Sequence, residues 1–416
     1  MMRNQGSGTG DTSKTTFDHL LTARARGIKS SPVRDLLAHS KQPDVISLAG
    51  GIPAPDLFDM PGIDGVLTTL LKTEHRDVLQ YGLTEGEVDL RHALSEHARQ
   101  SGLAVPWDAI IVTAGSQQGL DLISRVLLDR GDRVIVARPT YLAALQVFQF
   151  AHAQLESVGV HADGLDLDEL AAKLQRGGVK AIYVIPNFAN PSGGTLSLAN
   201  RVALVELARR SRVLILEDDP YGQLRLQGEA LPSLAAIAAQ QPGGNQHVVH
   251  LSSFSKIFAP GVRVGWLALP AFLVPAVAVA KQALDLHTST LSQRIVTDYL
   301  ATGRLGPRLE VLRKAYRERR DALMAALRDD LGDALSFNEP EGGLFLWGRL
   351  ADGVSAERLL QHAIEKRVVF VPGSAFFADQ PEQDTLRLSF SMVTEASARE
   401  GARRLRRALD SLQLGA

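Results

Sequence analysis

Between about residue 80 and residue 269 the chain alternates between two textures. Short, unbroken apolar runs rich in β-branched residues occur at 110–112, 133–137, 181–185, 213–216, 248–251 and 264–269. A strand covered by helices on both faces has no solvent side, so it reads as a continuous apolar run and not as an alternation. Between these runs, residues 117–128, 141–150, 167–174 and 198–210 place apolar side chains at i and i+3 or i+4, as a helix with one buried face requires. The pattern predicts an α/β fold whose large three-layer domain is built on a mainly parallel sheet.

After Pro270 the pattern changes. A long helical stretch rich in Arg and Glu is expected from 271 to about 331, interrupted near 303–307. Strands at 334–337, 344–347, 368–371 and 385–390, with helices at 356–366 and 394–412, predict a smaller α+β domain. The expected division is a disordered leader at 1–27, an N-terminal segment at 28–60, a large domain at 61–305 and a small domain at 306–416. The segment 31–40 is expected to return to the small domain.

Composition narrows the classes of function. Apolar residues make up 45% of the 416 and charged residues 22%, which supports a packed globular chain and excludes general disorder. Lys plus Arg number 45 against 46 for Asp plus Glu, a formal charge of −1. There is no basic excess to neutralise a phosphate backbone, so no nucleic-acid partner is expected. With no cysteine, disulfides, iron–sulfur clusters and thiol nucleophiles are excluded. The strongly apolar run 264–280 is uncharged but holds Pro270 and Pro275 and falls short of the ~18–20 residues that span a bilayer. The first 16 residues are rich in Gly, Ser and Thr and lack the apolar core of an export signal. A cytoplasmic protein is therefore expected, with no membrane partner. His247 and His250 stand three apart on a predicted strand and read as a core or solvated pair, so no metal site is expected.

The chemistry is concentrated where apolar runs end. Ser252-Ser253-Phe254-Ser255-Lys256-Ile257-Phe258-Ala259-Pro260-Gly261-Val262-Arg263 joins two predicted strands. A lysine held between buried strands must snorkel, pair or become uncharged. Here hydroxyls flank it and an arginine follows, the parts that hold a phosphate dianion. An amine beside a phosphate site points to a Schiff base with a phosphorylated aldehyde, pyridoxal 5'-phosphate; an ordinary loop lysine is the plain alternative. Glu217-Asp218-Asp219-Pro220-Tyr221 ends another run, so Asp218 or Asp219 could hold a protonated pyridine nitrogen, or both could cap a turn. Thr113-Ala114-Gly115-Ser116-Gln117 leads a strand into a helix whose free N–H groups suit a phosphate. Asn187 and Asn190, in the turn 186–194, could donate to a ring oxygen, and Tyr141 could stack on a flat ring.

In combination and in this order, from about residue 28 to 412, these segments resemble fold-type I pyridoxal-phosphate enzymes of the class I/II aminotransferase superfamily. The resemblance implies that Lys256 forms the Schiff base and shuttles the proton. It implies that Ser116, Gln117, Ser253, Ser255 and Arg263 bind the phosphate. Asp218, three residues before Tyr221, would hold the pyridine nitrogen, Asn190 and Tyr221 the ring hydroxyl oxygen, and Tyr141 would stack on the ring.

A narrower resemblance, to 2-aminoadipate and kynurenine-type aminotransferases, rests on four segments. They are Ser47-Leu48-Ala49-Gly50-Gly51-Ile52-Pro53, Tyr81-Gly82, Gly342-Gly343-Leu344-Phe345-Leu346-Trp347 and Thr385-Leu386-Arg387-Leu388-Ser389-Phe390. It implies that Arg387 clamps the substrate α-carboxylate, with Gly51 and Phe345 beside the substrate. Tyr81 would reach the phosphate of a neighbouring subunit, which implies a homodimer with shared sites. Arg34, in Ser31-Pro32-Val33-Arg34, would meet a distal substrate carboxylate. Ala189 and Ser192 depart from the superfamily's usual polar residue and Thr. The implied partners are an α-amino acid and a 2-oxo acid. Decarboxylation or β-elimination on the same cofactor is the alternative chemistry, and a regulator's effector-binding domain is the non-catalytic one.

Overall fold

The computed structural model describes residues 17–22, 25–26, 36, 42–73 and 76–414. Among the described residues fourteen strands run in chain order. They are β1 (Ile46–Ser47), β2 (Ile110–Thr113), β3 (Arg133–Arg138), β4 (Gln154–His161), β5 (Gly164–Leu165), β6 (Val179–Val184) and β7 (Leu214–Asp218). There follow β8 (Val248–Ser253), β9 (Gly265–Ala268), β10 (Leu335–Phe337), β11 (Phe345–Leu350), β12 (Val368–Val369), β13 (Val371–Pro372) and β14 (Thr385–Ser389).

Eight strands form the large sheet in the order β2-β9-β8-β7-β6-β3-β4-β5. The pairs β8–β7, β7–β6, β6–β3 and β3–β4 are parallel, whereas β9 is antiparallel to both β2 and β8. The residues of β2 and β9 are buried throughout, because helices such as Ser116–Leu127 cover the sheet. β4, absent from the sequence-based expectation, has a burial pattern exposed at both ends. Its sequence QLESVGVH carries polar residues that a strand near the sheet edge tolerates, so no apolar run announced it.

The smaller sheet, β10-β11-β14-β13, is wholly antiparallel. The helical stretch expected from 271 to 331 is three helices, Val274–Asp285, Thr290–Ala301 and Leu305–Leu331. The additional break falls where Leu286 adopts φ 64° and the Ser289 side chain accepts from the Ser292 N–H to cap the next helix. Serine is favoured at such a cap because it satisfies an N–H that has no partner within the helix. Of the segment 31–40, Leu36 alone is described; it is buried in an apolar cluster with Ala49, Val369, Val371 and Phe376.

Candidate active site

Parallel strands end at a common edge, and open α/β sheets bind ligands at the carboxyl ends of their strands. Here β2, β6, β7 and β8 run directly into segments 113–117, 185–194, 218–221 and 253–256. The antiparallel β9 begins at this edge: Gly265 pairs with Thr113 on one side and with Ser253 on the other. That reversal brings Arg263 back to the edge. Gly265 must lack a side chain, since a Cβ there would lie 2.7 Å from the Gly115 carbonyl carbon and the Ser116 nitrogen.

A cavity of about 330 Å³ opens at this edge. Among the expected site residues it is lined by Gly51, Ser116, Gln117, Tyr141, Asn190, Asp218, Tyr221, Ser253, Ser255, Lys256, Arg263 and Arg387. One end is an anion cradle. Gly115, at φ 89°, turns the chain into the helix that starts at Ser116, leaving first-turn N–H groups without helical partners. Arg263 donates through Nη2 to the Ala114 carbonyl (2.8 Å) and through Nη1 to Ser255 Oγ (3.4 Å). Ser253 Oγ donates to Ser255 Oγ at 2.9 Å. Hydroxyls, backbone N–H groups and a guanidinium thus converge.

Lys256 projects into the same cavity, and its Nζ donates to the Gly51 carbonyl at 2.8 Å. Burial, and then the positive charges of Arg387 and Arg263, push its amine down to about 8. A lysine becomes a nucleophile only when it loses its proton, so a lowered value frees the amine at a lower pH. In cofactor-free protein the rate of pyridoxal phosphate capture, followed by visible absorbance, is expected to rise through about pH 8 and then level. Replacing Arg387 with leucine is expected to move that midpoint upward. A rate still climbing above pH 10 in the parent protein would contradict the assignment.

The structure separates the two candidate aspartates. Successive residues of an extended chain face opposite sides. Glu217 and Asp219 face one side: Glu217 accepts from Leu234 N (2.6 Å), Ala235 N (3.0 Å) and His250 Nδ1 (3.0 Å), and Asp219 from Asn187 Nδ2 (3.0 Å) and Gly222 N (2.9 Å). Asp218, between them, faces the cavity. Its Oδ2 accepts from the Tyr183 hydroxyl at 2.8 Å, and its Oδ1 is buried without a partner. A buried polar atom left unpartnered costs about 1–3 kcal/mol, more for a charged group, so this oxygen fits a cofactor that brings a cationic N–H. Burial pushes the Asp218 carboxyl up to about 6, against the Tyr183 hydrogen bond.

Arg387 sits on β14, opposite Trp347 of β11 and Val371 of β13. It is buried, with its guanidinium 4.3 Å from the centre of the Phe345 ring and 5.0 Å from that of Phe376. Nη1 donates to Asn190 Oδ1 (2.7 Å) and Nη2 to the Ala49 carbonyl (2.6 Å). Nε is buried without a partner, and since a guanidinium carries five N–H groups, donors remain for a carboxylate. Burial pushes Arg387 down to about 10, still a cation at neutral pH. Asn190 also hydrogen-bonds the Tyr221 hydroxyl.

Phe345, expected beside the substrate, is 1% exposed and does not line the cavity. It shares the sheet face of Arg387 and lies against that guanidinium, packs edge-on against Tyr221 and would clash with any side chain at position 51. Tyr81 lies outside this cavity, 77% exposed in a separate surface hollow, with its ring edge-on to His287. Arg34 lies outside the described residues. His250 pairs with Glu217, and among the described residues no cluster of His, Asp and Glu could hold a metal. Tyr183 and Phe376 were not anticipated. Each sits in an apolar run, and only the folded chain shows what it faces.

Fold and site define a pyridoxal-phosphate transferase of fold type I. The chain belongs to the aminotransferase class I and II family, whose pattern it matches over residues 44–405, and it is an enzyme of the transaminase type. It is 39% identical to aromatic-amino-acid aminotransferase 1 of Thermococcus litoralis over 94% of each chain. It is 37% identical to the 2-aminoadipate transaminase of Thermus thermophilus over 92% of this chain and 95% of that one. The solved α-aminoadipate aminotransferase of Thermus thermophilus, complexed with N-(5'-phosphopyridoxyl)-L-leucine, superimposes with a TM-score of 0.90 at 35% identity. That match covers 96% of this chain and all of the other.

Proposed function

We propose that this aminotransferase uses pyridoxal 5'-phosphate to move the amino group of an α-amino acid to a 2-oxo acid such as 2-oxoglutarate, in ping-pong fashion. The donor would be 2-aminoadipate-, glutamate-, leucine- or aromatic-like. The observation that carries this reading is the convergence of Lys256, Arg263, Arg387 and the unpartnered Asp218 oxygen on one cavity.

The bound cofactor supplies an electron-withdrawing ring that takes up the electron pair left when the substrate Cα loses its proton. Ser116, Gln117, Ser253, Ser255 and Arg263 hold its phosphate, with the helix start adding its positive dipole end. Asp218 holds the ring nitrogen, Asn190 and Tyr221 the ring oxygen, and Tyr141 the ring face. Arg387 fixes the α-carboxylate so that the Cα proton faces Lys256. The free amine of Lys256 removes that proton and redelivers it, a role suited to a group whose protonation changes near pH 8. The apolar side chains of Ile52, Leu142 and Phe376 also line the cavity.

The unit 306–416 contributes Arg387 and packs with the described part of segment 28–60, where β1 pairs with β12, while 61–305 holds the cofactor. The protein acts in the cytoplasm as a homodimer. Exposed Leu79 and Tyr81, 72% and 77% accessible beside the hollow that Tyr81 lines, support a second copy packing there. Among the described residues no helix is long and apolar enough to cross a membrane.

A panel of amino donors and 2-oxo acids, read by half-reaction spectra of the loaded enzyme, tests the activity. Formation of both a new amino acid and a new keto acid is expected; carbon dioxide or ammonia release instead would replace transamination with lyase chemistry. Arg34→Ala is expected to lose activity toward 2-aminoadipate or glutamate more than toward leucine. Equal losses would remove Arg34 from substrate recognition.

A further inference from the structure

We propose that Tyr183 is a positioning residue for the reaction: its hydroxyl holds one oxygen of Asp218 so that the other is presented to the cofactor ring nitrogen. The inference rests on the assignment of Asp218 to that nitrogen.

A carboxylate on a buried strand end can rotate about its Cβ–Cγ bond unless something holds one oxygen. Tyr183 is on β6, the strand beside β7 in the large sheet, and has 0% exposure. Its ring is fixed edge-on against Phe148 at 5.6 Å between centres. Its hydroxyl donates to Asp218 Oδ2 at 2.8 Å, and Oδ1 has no partner in the protein. Burial and the Asp218 charge hold the Tyr183 phenol well above its ordinary value, so it remains a donor throughout the working pH range. The carboxylate is therefore divided, one oxygen anchored and one available.

The same hydrogen bond favours the ionised carboxyl. Burial of Asp218 and the negative Asp219 beside it raise its pKa; the Tyr183 hydroxyl and, more weakly, His250 on β8 lower it. Against the effect of burial, the Glu217 carboxylate holds the His250 imidazole above its ordinary value. Across the cavity that Asp218 lines stand Tyr141 and Tyr221, which remain neutral because burial raises both phenols, and the cationic groups Lys256, Arg263 and Arg387. Among these groups Tyr183 is the one with a direct hydrogen bond to the Asp218 side chain.

The test is Tyr183→Phe, which keeps the ring and removes the donor. Cofactor affinity of the cofactor-free protein, measured by fluorescence titration between pH 5 and 9, is the main readout. A hydrogen bond to a charged group is worth ~10- to 100-fold in the ionisation equilibrium, so the acid limb of the affinity profile is expected to move up by about one to two pH units. The deficit relative to parent protein is expected to be largest near pH 6 and to narrow toward pH 9, a pattern that general loss of packing would not produce. Limbs that coincide would overturn the proposal. Incorporating 3-fluorotyrosine at 183 supplies a stronger donor of nearly the same shape and is expected to move the limb down; an upward shift or none overturns the proposal even if the Phe variant fails to fold. Asp218→Asn, run in parallel, separates the two levels. If that variant keeps parental affinity and turnover, the nitrogen assignment itself fails; if it is impaired while Tyr183→Phe is parental, the positioning role alone fails.

Discussion

Lys256→Ala is expected to lower turnover by roughly 10²–10⁴-fold, the range associated with a positioned proton-transfer group, and to abolish borohydride-stable attachment of the cofactor. The reason is geometric. Among the described residues, the other cations lining the cavity are Arg263 and Arg387, and a guanidinium does not give up its proton at working pH. No side chain is placed to substitute for the amine. In the parent enzyme, borohydride reduction followed by peptide mapping is expected to put the pyridoxyl label on Lys256. A label on another lysine, or retention of near-parental turnover by the alanine variant, would overturn the assignment. The alanine variant should remain folded, because Lys256 makes one hydrogen bond, to the Gly51 carbonyl, and its neighbours Phe254, Ile257 and Phe258 supply the local packing.

Asp218→Asn should separate function from stability. Losing a charged hydrogen bond of ~1.5–3 kcal/mol is expected to slow turnover by about 10- to 150-fold. In cofactor-free protein the same substitution is expected to be stabilising near neutral pH. Burial raises the Asp218 carboxyl from 3.8 to about 6, so the folded state binds the proton more tightly than the unfolded chain does. The stability associated with that bound proton is fully present below about pH 4 and is lost as pH rises through about 6. An asparagine carries no such charge. Cofactor-free Asp218→Asn is therefore expected to melt above the parent at pH 7–8, by up to about 3 kcal/mol, with the difference vanishing below pH 4. Thermal melts of both proteins across pH 3.5–8 check the sign, and a variant less stable at every pH would contradict it. Asp219→Asn is the control. Its carboxylate accepts from Gly222 N and Asn187 on the other side of the strand, so kcat should change far less than in Asp218→Asn.

Reading the chain alone recovered elements whose signal is local. The strands β2, β3 and β8 contain β-branched runs, and the helices Ser116–Leu127 and Leu167–Gln175 carry a clear helical period. β4 was missed because its polar residues break the run. The break after Asp285 has no sequence signature, because a leucine at positive φ is not announced by its residue type and the Ser289 cap lacks the Glu or Gln three residues on that would mark it. Lys256, Ser253, Ser255 and Arg263 line one cavity, and their nearness was legible because they share one short loop. Phe345 lies against the Arg387 guanidinium and not on the cavity wall, since its motif specifies a strand but not which side chains cover its ring.

Residue order settled the local conditions here: an amine and two hydroxyls between buried strands, carboxylates at a strand end, a glycine turn leading into a helix. These follow from dihedral preference and from burial, which act over a few residues. Folding settled the rest. It turned Asp218 toward the cavity and Asp219 toward Asn187, reversed β9 so that Arg263 returns to the cavity edge, and joined Arg387 to Asn190 across 197 positions of chain. Such pairings depend on strand order and register, and those are fixed by how distant apolar faces fit together, which no local pattern of side chains encodes.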